Sequence, residues 1–251
     1  LNQAADGQPV RPGVAELTQR LSAEHHFFHW RLAFPEVFAK GGFDVVLANP
    51  PWERIKLQEQ EFFSVRRPDI SEAPNAAARS RLINALNSDD ATPADRRLFQ
   101  AFVNAKRSAE ASSLFAHDSS RYPLTGVGDV NLYALFAEAI AQLIGGIKAG
   151  QTTSHDGFAG RAGMIVPTGI ATDDSTKAFF DAIASSGHLS SLYDFENREK
   201  LFPAVDSRMK FCALTLAREA SARFVFFATN VSHLRDERRA FTLSGADIAL
   251  L

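Results

Sequence analysis

Asn49-Pro50-Pro51-Trp52 is a stretch in which every residue can be given a chemical task. An amine carried on an aromatic ring is a weak nucleophile, because its lone pair is delocalised into the ring. Acceptors on both of its hydrogens would favour a pyramidal nitrogen and concentrate that lone pair for attack on an electrophilic methyl group. The Asn49 side-chain oxygen and the Pro50 carbonyl oxygen are such acceptors. Proline fixes φ and has no N–H, so a Pro50-Pro51 turn holds a carbonyl aimed at a ligand without a competing donor. Trp52 offers a flat face for the ring. Base-aromatic stacking is worth about 1 to 3 kcal/mol, the size of the few kcal/mol that extruding a base from a duplex costs. A strand end followed by a tryptophan that only fills a core would leave the same four residues.

The elements that must position these residues are legible around them. Phe43-Asp44-Val45-Val46-Leu47-Ala48 is short, β-branched and preceded by Gly41-Gly42, which predicts a buried parallel strand. Ligands of open α/β sheets bind at the carboxyl ends of such strands. Further strands are expected over residues 162–166, 189–195, 211–217 and 223–228, with a helix over 174–184 started by Thr172 or Asp173. This rhythm predicts an α/β layered sheet. An amphipathic helix is expected over 131–144, with Asp129 as its cap. From Glu53 to about Ser120 the spacing turns helical, notably over 76–86 and 93–115, and reads as a helical insertion. A loop rich in Gly, Ser and Thr precedes Gly160, and a charged helix or turn is expected over 234–239. The domain reading is therefore a lead-in and linker over 1–41, containing a short helical pattern at 14–21, a catalytic unit over 42–53 and 121–230, an insertion over 54–120, and a following segment from 231 to 251. The chain starts at Leu1 and stops at Leu251 within an apolar run, and reads as a fragment of something longer.

With 251 residues, 45% hydrophobic and 22% charged, disorder is excluded as the main state. The formal net charge is −2, so contacts with nucleic acid must come from local patches. Residues 54–107 hold ten basic and seven acidic side chains, and 198–239 hold nine and five. Arg66, Arg67, Arg96 and Arg97 are the candidate phosphate contacts, against the plainer reading of a solvated helix surface. The single Cys212 excludes an internal disulfide and reads as a buried small hydrophobe; with no apolar run of membrane-spanning length, a reducing cytoplasm is the expected compartment. His25, His26 and His29 lack the further ligands of a metal site, so none is expected. Asp194, Glu196 and Glu199 are acidic, yet no Asp-x-Lys or Glu-x-Lys triplet accompanies them, which argues against a nuclease. Gly126-Val127-Gly128 follows no predicted strand and is a poor phosphate loop.

Residues 43–52 together resemble the catalytic motif of the adenine-N6 DNA methyltransferases. The flanks His29-Trp30, Pro35-Glu36-Val37-Phe38, Asn131-Leu132-Tyr133 with Phe136 and Glu138, Gly163-Met164-Ile165-Val166-Pro167, Asp194-Phe195-Glu196-Asn197 and Leu201-Phe202-Pro203 look like the large methylases of restriction-modification and phage-defence systems. The resemblance implies a partial Rossmann-like methyltransferase sheet made of the later strands only. It implies S-adenosylmethionine as methyl donor and double-stranded DNA with a flipped adenine as substrate. Asn49, Pro50, Pro51 and Trp52 carry over as the catalytic turn, and Phe202 as a second aromatic against the base. The family's donor motif, a strand followed by a glycine loop, has no counterpart before Phe43, so the chain resembles a catalytic half whose N-terminal half lies elsewhere in a longer parent, the fragment alone being inactive. The bared sheet edge would then be covered by residues 1–41 or pair with a second copy. A methyltransferase for glutamine side-chain amides, or a non-catalytic DNA- or partner-binding module, are the alternatives.

Overall fold

A computed structural model of the chain describes residues 11–145 and 160–250, so most of the polar start and the loop before Gly160 lie outside the described residues. The chain divides into two compact units, 1–42 and 43–251. The first contains helices α1 (Pro12–His25), α2 (Trp30–Ala33) and α3 (Pro35–Ala39). Pro12 and Pro35 sit in the first turns of α1 and α3, where the missing N–H costs nothing. The Trp30 ring meets Phe28 at 5.0 Å and Phe34 at 5.9 Å, so the lead-in carries an aromatic cluster of its own and is more than the linker its composition suggested.

The second unit is built on a six-stranded mixed sheet, with β1 (Val45–Ala48), β2 (Arg161–Pro167), β3 (Leu189–Glu196), β4 (Lys210–Leu216), β5 (Ser221–Ala228) and β6 (Ala240–Ser244) in the order β1-β2-β4-β3-β5-β6. The β1/β2 and β3/β5 pairs are parallel, whereas β4 lies antiparallel between β2 and β3, and β6 antiparallel on β5. The carboxyl ends of β1, β2, β3 and β5 and the starts of β4 and β6 therefore share one edge of the sheet. β6 was not expected: residues 231–251 read as the start of a following segment, yet Ala240–Ser244 extends this sheet. Between β5 and β6 the charged stretch forms two 3-10 turns, Val231–Arg235 and Glu237–Arg239.

Strand alternation divides the sheet into two faces. Ala162, Met164, Val166, Leu192, Cys212, Leu214 and Leu216 point to one, where they pack under α8 (Leu132–Leu143) and α9 (Lys177–Ser185). On the other face, Val45 and Leu47 of β1 are 61% and 81% exposed. β1 ends the sheet, with no strand on its outer side among the described residues.

The insertion folds around its own core. It consists of α4 (Glu59–Ser64), α5 (Pro68–Ser71), α6 (Ala76–Ala85) and α7 (Pro93–Asp118), and Phe63, Ile70, Ile83, Leu86 and Phe102 are buried together. Thr92 and Asp95 form a reciprocal capping box that starts α7, with Pro93 in its first turn. Asp129, expected to cap α8, does not do so. The cap position is Asn131, without a side-chain bond, because the chain leaving Trp52 meets the first turn directly: Leu132 N–H donates to the Glu53 carbonyl at 2.9 Å. Asp129 pairs instead with Arg54 at 3.4 Å. Deeper in α8, the buried Glu138 carboxylate accepts from Thr125 N–H at 2.9 Å and Thr125 Oγ1–H at 2.7 Å, tying the loop after α7 to the helix. Burial raises the Glu138 pKa above the ordinary carboxylate value, with these hydrogen bonds opposing the shift.

Candidate functional site

β1 delivers its last residue, Ala48, to the carboxyl edge of the sheet, and the Pro50-Pro51 pair breaks the strand there because proline cannot donate to the ladder. Pro50 is buried, which fixes the turn, while Asn49 and Pro51 are exposed. Among the described residues the Asn49 side chain has no hydrogen-bond partner, so both amide groups remain open to a ligand.

Trp52 is half-buried on the face opposite the helices. Its indole Nε1–H donates to the Ile165 carbonyl at 3.2 Å, which locks the ring against β2. Its ring lies 6.3 Å from Phe202 in an edge-to-face contact at 81° and 6.1 Å from Phe211. The structure thus brings together Trp52 and Phe202, far apart in sequence. The two touch each other, so a planar ligand between them requires them to part, whereas stacking on an open part of Trp52 does not. Phe211 is the hub, 4.9 Å from Phe202 and stacked on Phe195 at 5.3 Å.

Two positioning residues were missed as such in the sequence. Asn197 is fully buried; its Nδ2 donates to the Phe202 and Val205 carbonyls at 2.9 and 3.0 Å, and its Oδ1 accepts from Phe202 N–H at 2.9 Å. It therefore sets the place of the Phe202 ring by holding the backbone on both sides of it. Asn197→Ala would strand several buried backbone groups at about 1 to 3 kcal/mol each, partly relieved by water. A loss of about 2 kcal/mol is expected in chemical denaturation; a stability equal to wild type would show that the loop holds without the amide. Asp194, 2% exposed, is the second: it accepts from Thr168 Oγ1–H at 2.6 Å and from Phe227 N–H at 3.2 Å. It is a structural carboxylate with two donors. The acidic trio is thereby dispersed in role, since Glu196 pairs with Arg198 and Lys210, and Glu199 accepts from Thr229 and Asn230. Among the described residues no group of three or more His, Cys, Asp or Glu could hold a metal ion. Cys212 is buried, and desolvation, reinforced by Asp194, pushes its thiol well above the usual range, which leaves it protonated.

The four arginines have different surroundings. Arg67 is met by Asp69 at 2.8 Å and Asp95 at 2.9 Å, so its charge is compensated within the chain. Arg66 lies over the Phe62 ring at 4.4 Å and donates to the Phe62 carbonyl, and Arg96 donates to the Asp89 carbonyl at 3.0 Å. Arg97 is exposed and has no partner among the described residues. A cavity of about 500 Å3 lies between residues 55–60, α7 and Gly128–Val130, lined by Lys56, Arg79 and Lys106 but also by Glu59, Glu110 and Asp129. None of Asn49, Trp52 and Phe202 lines it.

The described part of the segment before β1 is helical, without a strand and glycine loop. At Gly126 a Cβ would collide with the Ala116 and Tyr122 carbonyl oxygens, so packing demands glycine there, and Gly128 adopts a φ of +64°. Both glycines are accounted for by the turn itself.

No curated protein matches the chain. Among solved structures, a nuclease-deletion mutant of the Type ISP restriction-modification enzyme LlaGI, in complex with a DNA substrate mimic, is similar at 10% identity and a TM-score of 0.36, covering 82% of this chain and 15% of that one. A modification subunit assigned to a type I restriction enzyme from Vibrio vulnificus YJ016 is similar at 14% identity and a TM-score of 0.35, covering 93% and 59%. The chain thus spans less than two thirds of either. Residues 4–82 match the family model of the Eco57I restriction-modification methylases. That stretch contains β1 and the Asn49–Trp52 turn.

Proposed function

We propose that this chain is the adenine-handling half of an S-adenosylmethionine-dependent DNA adenine-N6 methyltransferase of a restriction-modification or phage-defence system. The observation that carries the reading is the exposed Asn49 amide at a sheet edge, without a partner among the described residues, next to an aromatic surface formed by Trp52 and Phe202. The Asn49 Oδ1 and the Pro50 carbonyl would each accept one N–H of an adenine amine, which raises its nucleophilicity without a strong general base. Trp52 would stack on the flipped base. The donor supplies an electrophilic methyl group when bound. Residues 54–120 are read as an insertion that meets DNA, with Arg97, which has no partner among the described residues, as its best phosphate contact.

The donor-binding half would continue the sheet beside β1, its terminal strand among the described residues, where a second copy of this chain is the alternative occupant. Calorimetry of this chain with S-adenosylmethionine should show no heat, against clear binding by a longer protein that includes the donor half. Heat from this chain alone would mean that it holds a donor site and acts as an enzyme in its own right. For the substrate, the complete methylase should leave N6-methyladenine in hydrolysed DNA. Methylated glutamine in protein, with unmodified DNA, would overturn the reading in favour of amide methylation, which poses the same nucleophile problem.

A further inference from the structure

β5 carries one residue too many for its partner. Tyr193 pairs with Val225 and Phe195 with Ala228, so three steps on β5 face two on β3, and the excess is taken up at Phe226 and Phe227. Phe226 stays in the sheet, stacked on Phe224 at 6.0 Å and tilted against Phe241 at 5.8 Å. Phe227 is turned out. Its φ is +56°, a region that a bulky L side chain adopts only when something holds it there. The holder is the buried Asp194 carboxylate, which accepts the Phe227 N–H at 3.2 Å while its other oxygen is taken by Thr168. A buried charge on β3 is thus used to keep a ring 64% exposed at the carboxyl edge of the sheet.

Charge surrounds this ring. The Lys210 ammonium lies 5.5 Å from its centroid. Lys210 shares the Glu196 carboxylate, at 3.4 Å, with Arg198 at 2.5 Å, and the two cationic side chains stay 49% and 72% exposed, so both keep donors open to a ligand. Lys210 precedes Phe211 on β4, and Phe211 belongs to the Trp52 cluster. By strand alternation Lys210 therefore lies on the face opposite Phe211 and its cluster, and Phe227, released from alternation by the bulge, meets it there. An exposed aromatic beside solvent-facing cations is how proteins hold unstacked bases and the phosphates between them.

We infer that Phe227, with Lys210 and Arg198, is a second DNA contact, the ring stacking on an unstacked base other than the target adenine and the cations meeting its flanking phosphates. The inference rests on the reading that this sheet edge faces DNA. It explains why a strained, exposed phenylalanine is held by a buried carboxylate.

The test is binding of a mixed-sequence single-stranded oligonucleotide to the 251-residue chain, followed by fluorescence anisotropy over a range of salt. Phe227→Gly should fall about tenfold in affinity, the size of one lost base stack. Its melting temperature should hold or rise, because glycine adopts positive φ freely. Phe227→Trp should keep the affinity, and Lys210→Gln should lower it and reduce the salt slope by about one ion. Unchanged affinity in Phe227→Gly overturns the inference and leaves the adenine-site reading to its own assay. A fall in affinity together with a lower melting temperature, or with a change from dimer to monomer, also overturns it, assigning the ring to packing or to a second copy. A tenfold loss in Phe227→Gly without N6-methyladenine from the complete protein supports the contact and overturns the site reading alone. No DNA binding by the unmutated chain overturns the inference.

Discussion

Asn49→Ala is expected to slow methyl transfer by the complete methylase by at least about a hundredfold, the usual effect of removing one preorganised hydrogen-bonding group from a reacting centre. The same substitution should leave stability within about 0.5 kcal/mol, because it removes an exposed side chain that has no partner among the described residues. That combination separates chemistry from folding. The turn itself is set by buried Pro50 and by the Leu132 N–H to Glu53 carbonyl bond beyond it, neither of which uses the Asn49 amide. Asn49→Asp is the informative companion. It keeps an acceptor oxygen at the same reach but adds a charge, so it should retain more activity than Asn49→Ala if acceptance of an amine N–H is the task. Transfer of labelled methyl groups to DNA, read beside a thermal melt, decides the matter. A near wild-type rate in Asn49→Ala would sink the proposed amine activation.

Much of the sheet was legible because its strands alternate or run β-branched between turn signals, as residues 43–48, 162–166, 211–217 and 223–228 do. The helical insertion was legible for a similar reason, since Leu98 and Phe102 recur at helical spacing, and Phe102 indeed enters a separate core. What escaped was whatever depends on a partner distant in the chain. Ala240–Ser244 is too short and too mixed to announce a strand; it becomes β6 because β5 offers an open edge beside it. Asp129 has the right chemistry for a cap, but a backbone carbonyl from Glu53 arrives first. Arg67 looks like a phosphate contact until Asp69 and Asp95 are folded against it. Asn197 and Asp194 stood among quoted motifs without a role, because a buried polar residue and a reactive one are identical in sequence. The nearness of Trp52 and Phe202 was expected only through resemblance, since no local pattern joins them.

Trp52→Ala is expected to cost about 2 to 4 kcal/mol of stability, as well as methyl transfer. A residue just past a strand end is often cheap to change. The fold makes it otherwise: the ring is packed between two clusters, in contact with Phe202 and Phe211, and its Nε1–H is spent on the Ile165 carbonyl at 3.2 Å. Truncating a fully buried large aromatic costs about 3 to 5 kcal/mol, and the half-buried position of Trp52 scales that down. Loss of activity in Trp52→Ala would therefore not distinguish a missing stacking surface from a collapsed site. Trp52→Phe does. It keeps an aromatic face, gives up one hydrogen bond worth about 1 kcal/mol, and should lose far less stability than Trp52→Ala. If the ring stacks on the flipped base, Trp52→Phe retains methyl transfer within about tenfold, whereas a non-aromatic residue of similar bulk, as in Trp52→Leu, forfeits the roughly 1 to 3 kcal/mol of base stacking. Equal activity in the Phe and Leu variants, with denaturation curves that agree, would show that Trp52 serves the core and not the base.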